Sequence, residues 1–129
     1  ENTVNLLGWC KQSEIVEIML DSHVFVLPSV TASNGNKEGT PTVLLEAQAT
    51  GLPVVSTYHA GIPEIVDDGG SGILVPERDV DALADGLESL LSADTKWETM
   101  GRQGRDLVEE NHSIETVSDD LIKLYQSLR

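Results

Sequence analysis

Two glutamates in the stretch KEGTPTVLLEAQATGLPVVST, Glu38 and Glu46, lie eight positions apart. Glu38 falls in a turn rich in glycine and proline, and Glu46 falls inside a segment that reads as a helix. A carboxylate accepts hydrogen bonds and cannot donate them, so two carboxylates facing one small volume suit the hydroxyls of a ligand. Gly39 and Thr40 lead into a helix start, where unpaired amides and the helix dipole attract an anion. A glycine at that point lets a ligand approach the backbone closely. Ribose at one carboxylate, diphosphate at the helix start and hexose at the other carboxylate describe a nucleotide sugar. On spacing alone, a solvated loop acid and an exposed helix residue remain the simpler reading, since glutamates are mostly exposed.

The surrounding pattern says what must position these residues. Short apolar runs alternate with helical stretches. Val4–Leu7 reads as a brief strand closed by Gly8, and Val24–Leu27 as a strand covered on both faces, ended by Pro28. Between them Ser13 can cap a helix with Ile15, Ile18 and Met19 on its apolar face. Residues 29–39 read as a loop. Thr40 can cap the next helix, with Pro41 at its first position and Gly51 just past its end. Pro53–Ser56 and Ile73–Val75 are further strands, separated by a short helical stretch around Pro63 and Glu64. Beyond residue 76 the pattern is helical only. Asp79 caps a helix carrying Leu83, Leu87, Leu90 and Leu91. Thr95 and Glu98 form a capping box, and Ser113 caps a last helix with Val117, Leu121, Leu124 and Leu128 on one face.

Strands alternating with helices predict an α/β fold, a Rossmann-like parallel sheet of about four strands flanked by helices. The expected organisation is one partial domain over 1–129, with an α/β part at 1–76 and helices at 79–129. Ligands of such sheets bind at the carboxyl ends of the strands, so the loops at 28–40 and 57–61 should share one rim.

Composition narrows the partners. The chain has 129 residues and a formal net charge of −14, which argues against nucleic acid and anionic lipid. The single cysteine, Cys10, cannot form an intrachain disulfide and fits a reducing, cytoplasmic setting. His23, His59 and His112 are scattered singly, so no metal-ligand pattern exists and no metal or other cofactor is expected. Asp67, Asp68 and Asp79 read as turn and cap acids. Trp9 could stack on a base, with rim packing as the alternative, and His59 is either a polar rim residue or a ligand contact.

EGTPTVLLEAQATGLPVVST followed by HAGIPEIVDDGGSGILV resembles the carboxyl-terminal domain of the retaining family-four glycosyltransferases, which have the GT-B architecture. The likeness runs from about Val4 to about Val75 and more loosely through the trailing helices. It implies a hexose transferred from a nucleotide sugar (UDP-, GDP- or ADP-linked) with retention of configuration and without a required metal. By position, Glu38 matches the catalytic glutamate that contacts the donor sugar, and Glu46 the one that holds the ribose hydroxyls. Gly39, Thr40 and Pro41 match the turn facing diphosphate and sugar. Val43 and Leu44 border the nucleoside, and Gly8 and Trp9 belong to the loop near the base. A non-catalytic sugar-nucleotide binding or regulatory module is the alternative.

Two departures from the family pattern carry expectations. Ala60 stands where the family usually has the first of two glycines, which costs little if its backbone angles are ordinary. The chain begins at Glu1 without Met, and two strands with an arginine and a lysine that grip the diphosphate are expected in a preceding part of a longer protein. The amino-terminal domain that binds the acceptor is then a partner within the same protein. That protein is expected in the cytoplasm or peripheral to the inner face of the membrane. Unpaired strand edges would invite a dimer, and the last helix would show an apolar face without a partner.

Overall fold

The computed structural model describes residues 3–37, 39–92 and 96–128. Its elements in order are α1 Gln12–Leu20, β1 Phe25–Leu27, α2 Thr42–Ala49, β2 Val54–Thr57, α3 Ile62–Ile65, β3 Gly72–Val75, α4 Val80–Leu91, α5 Lys96–His112 and α6 Ile114–Ser127. The strands form one parallel sheet in the order β1-β2-β3, with Leu27 opposite Ser56 and Thr57 opposite Val75. Every residue of the central strand β2 is buried. Val54 packs on one face with Met19, Leu44, Ala47 and Ile62, while Val55 packs on the other with Leu90 and Met100. Successive side chains of a strand point to opposite faces, so this division places helices on both sides of the sheet.

Three strands form among the described residues, not about four. Val4–Leu7 makes no ladder, and all four residues are exposed. Its composition suits a strand, but a strand needs a neighbour for its backbone groups. In the doubly wound order two other strands separate that position from β1, and no described residue supplies them. One edge of β1 is therefore unpaired among the described strands.

Helix starts shift slightly from the expected positions. Lys11, not Ser13, precedes α1, and the Glu14 carboxylate turns back to accept from the Lys11 N–H at 2.6 Å. Of the expected apolar face of α1, Met19 is buried and Ile18 is exposed. Pro41 takes the N-cap position of α2, one residue after Thr40. Gly51 does end α2 in the left-handed conformation, φ 80°, with the Leu52 N–H bonded back to the Ala47 carbonyl. Asp79 caps α4 through the Ala82 N–H, and Ser113 caps α6 through the Thr116 N–H. Leu90 is the buried member of the α4 stripe, whereas Leu91 lies outside it and is exposed. Thr95 lies outside the described residues.

Helix α5 locks α2 in place through two glycines. A Cβ at Gly101 would collide with the Gly51 carbonyl oxygen, and one at Gly104 would press on Gln48 Cγ at 3.2 Å. Helix α6, by contrast, buries none of its residues. No helix among the described residues is long and apolar enough to cross a membrane.

Candidate functional site

The carboxyl ends of all three strands gather on one rim, tied by short side-chain bonds. Ser56 Oγ donates to the Leu27 carbonyl at 2.6 Å, and Thr57 Oγ1 to the Ser29 carbonyl at 2.5 Å. The Tyr58 N–H donates to the Val75 carbonyl at 2.9 Å. The loop from β1 to α2 and the turn after β2 both leave this rim, as the strand pattern requires.

Gly39 and Thr40 are exposed at the approach to α2, and Pro41 is half-buried. The turn after β2 backs them closely: a Cβ at Gly61 would collide with Thr40 Oγ1. Gly61 itself has φ −82°, so the constraint there is one of space, set by the Thr40 side chain, and not of conformation. The left-handed residue is Ala60, with φ 46°. The condition for a small cost at Ala60 is therefore not met: it carries a Cβ at a positive φ, where glycine is favoured.

Glu46 is half-buried within α2. Its polar neighbour is Gln12, the first residue of α1, whose Nε2 donates to Glu46 Oε2 at 2.9 Å. Gln48, two residues on, is buried and donates to the Ile65 carbonyl at 2.9 Å. The Gln12 contact ties the start of α1 to α2. Gly8 turns with φ 68°, and the Trp9 ring is 86% exposed, so it is not packed into the rim. Val43 is half-buried, but Leu44 is fully buried in the core, leaving only its backbone to border a ligand. Glu38 lies outside the described residues.

Sequence reasoning missed a second set of polar residues. Glu77, just past β3, accepts from the Thr31 N–H at 2.8 Å and from Thr31 Oγ1 at 3.1 Å. Its Oε1 also lies 2.7 Å from Nδ1 of His59, which is fully buried rather than an open rim residue. Arg78, at φ 65°, donates from Nη2 to the Thr31 carbonyl at 2.8 Å. The Thr31 N–H above all, and then His59, hold the Glu77 carboxyl down at about 2 against an ordinary 4.5. The pairing of residues so far apart leaves no local signal. Asp68 accepts from the Tyr58 hydroxyl and from the Leu74 N–H, consistent with its reading as a turn acid. Among the described residues, no group of three or more His, Cys, Asp or Glu side chains converges as metal ligands.

Against known proteins, the family model for Glycosyl transferases group 1 matches residues 1–107. WcaL of Escherichia coli, assigned as a colanic acid biosynthesis glycosyltransferase, is 40% identical over 99% of this chain and 32% of its own length. The GDP-mannose-dependent monoacylated alpha-(1-6)-phosphatidylinositol monomannoside mannosyltransferase of Corynebacterium glutamicum is 34% identical over 96% of this chain and 32% of its own. The chain thus spans about a third of the length of the curated relatives it matches. Among solved structures, sucrose-phosphate synthase from Thermosynechococcus elongatus superposes with TM-score 0.81 and 26% identity over 96% of this chain and 30% of its own. Anabaena HepE, solved with UDP and glucose, superposes with TM-score 0.83 and 23% identity over 98% of this chain and 33% of its own.

Proposed function

This chain belongs to the group 1 glycosyltransferases and has the α/β organisation of a GT-B domain; from that premise we propose that it is the donor-binding half of a retaining hexosyltransferase. The observation that carries the reading is the placement of Glu46. It stands half-buried in α2, the helix approached through Gly39–Pro41, and accepts a hydrogen bond from Gln12 at the start of α1. In this reading Glu46 takes the ribose hydroxyls, Trp9 and Gly8 flank the base, and the first amides of α2 meet the diphosphate. Glu38 contacts the hexose and serves the transfer itself.

Stabilising the departing diphosphate is the larger electrostatic task. A chain of net charge −14 supplies few cations for it. In the intact protein the amino-terminal domain and further cationic strands complete the site, no metal is required, and this piece alone is inactive. The dependence of the Corynebacterium glutamicum relative on GDP-mannose supports a nucleotide-sugar donor. A cytoplasmic setting, at the inner face of the membrane, fits the same reading.

The test uses the intact protein. Glu46→Ala should weaken donor binding about tenfold or more, the loss of hydrogen bonds to a charged acceptor. Glu38→Ala should lower kcat about a hundredfold while leaving donor affinity closer to wild type. Unchanged kinetics in both variants would sink the assignment. Donor binding without transfer to any acceptor would favour a non-catalytic binding module.

A further inference from the structure

Glu77 is an unexpected residue to find half-buried in so acidic a chain, where another negative charge is repelled by the whole. Its surroundings explain how it is kept. The loops leaving all three strands converge on its carboxylate: Thr31 after β1, His59 after β2 and Glu77 itself after β3. Arg78 completes the grip from the other side of Thr31, so that residue is held through both its N–H and its C=O. From this fixed point the chain makes a compact turn, with the Ala32 N–H bonded to the Asn36 carbonyl at 2.9 Å, before reaching Gly39 and Thr40. Thr40 in turn sits against Gly61, two residues from His59.

We propose that Glu77, together with Arg78, is a positioning residue for the donor-binding turn, gripping Thr31 so that the loop from β1 delivers Gly39–Pro41 to the start of α2 in a binding-ready place. The inference rests on the donor-site reading above. It adds a role to residues that touch no donor atom and act through the loop. A rim brace with no bearing on the donor would stabilise the fold equally well, so the two roles must be separated by what happens to binding.

The experiment measures UDP-sugar and GDP-sugar dissociation constants, amide hydrogen exchange and Tm of the intact protein for Glu77→Ala, Glu77→Gln, Arg78→Ala and Glu46→Ala. Glu77→Ala should speed exchange at 29–37, 39 and 40 without donor, leave α5 protected and weaken donor binding about tenfold. Glu77→Gln should recover part of both effects. Its Oε1 still accepts from the Thr31 N–H, and its Nε2 can donate to Nδ1 of the other His59 tautomer. Arg78→Ala, on the exposed side, gives the same readout if Glu77→Ala does not fold. Unchanged exchange at 29–37, 39 and 40 overturns the proposal. So does a loosened loop with wild-type donor affinity while Glu46→Ala loses it, since Glu77 then only braces the rim. If Glu46→Ala also keeps wild-type affinity, the donor site has been misplaced, and the positioning role falls with it.

Discussion

Glu77 makes the stability of the rim depend on pH in a definite direction. Its carboxyl is held at about 2, below the ordinary 4.5, first by the Thr31 N–H and next by His59. A carboxyl depressed in the folded state contributes stability in full above its unfolded value and loses it as pH falls through the folded one. The stability difference between wild type and Glu77→Gln should therefore shrink as pH falls between 4.5 and about 2. Denaturant titrations at stepped pH read this, and a difference that stays level down to pH 2 removes the coupling. Ala60 offers a second residue-scale outcome. With φ 46° it carries the cost of a left-handed alanine, so Ala60→Gly should stabilise by about 1 kcal/mol in urea titration. A loss of stability would show that the turn holds alanine without strain. At this scale the turn before α2 and the helical position of Glu46 were legible, because their signals are local. Gln12, His59 and Glu77 were not. Their partners lie 34, 18 and 46 residues away in sequence, and only the folded sheet brings them together.

The elements were mostly legible for the same reason: periodicity, caps and turn residues act within a few positions. Strands β1, β2 and β3, the stop at Gly51 and the caps at Asp79 and Ser113 all follow from nearby residues. Val4–Leu7 shows the limit, since strand formation needs a neighbour that no local pattern can provide. The α5 glycines show another, because their purpose is defined by what they press against. Gly101→Ala would drive a Cβ into the backbone oxygen of Gly51, which cannot rotate away as a side chain could. The expected cost is about 2–3 kcal/mol by chemical denaturation, typical of overpacking. Gly104→Ala, which meets only the Gln48 side chain, should cost less. Equal costs at both positions would mean that α5 shifts bodily to accommodate either change.

On the scale of the whole molecule, charge and surface oppose each other. A net charge of −14 keeps copies apart, while one edge of β1 and the apolar residues of α6 invite contact. On α6, Val117, Leu121, Ile122, Leu124 and Tyr125 are each at least half exposed. Association of this 129-residue chain should therefore be weak at low salt and grow as salt screens the repulsion, with a Debye length of about 8 Å at 0.15 M. Sedimentation velocity over a concentration series checks this. Leu121→Glu should reduce association if α6 is the contact. A monomer at all salt concentrations would show that neither surface pairs with itself.

The two posts around the β1–α2 loop have a consequence for how such a protein can change. Thr31 is fixed at one end by Glu77 and Arg78, and Thr40 is backed at the other by Gly61. What lies between is an exposed tip at residues 33–36 whose hydrogen bonds are largely its own. Such a stretch behaves as an exchangeable cassette. Insertions and deletions there should leave both anchors in register, so sequences can drift in length and chemistry beside the turn at Gly39–Pro41 while the sheet beneath is undisturbed. Diversity introduced into that tip should cost little in foldability, whereas the same changes at 57–61 would unseat the posts themselves.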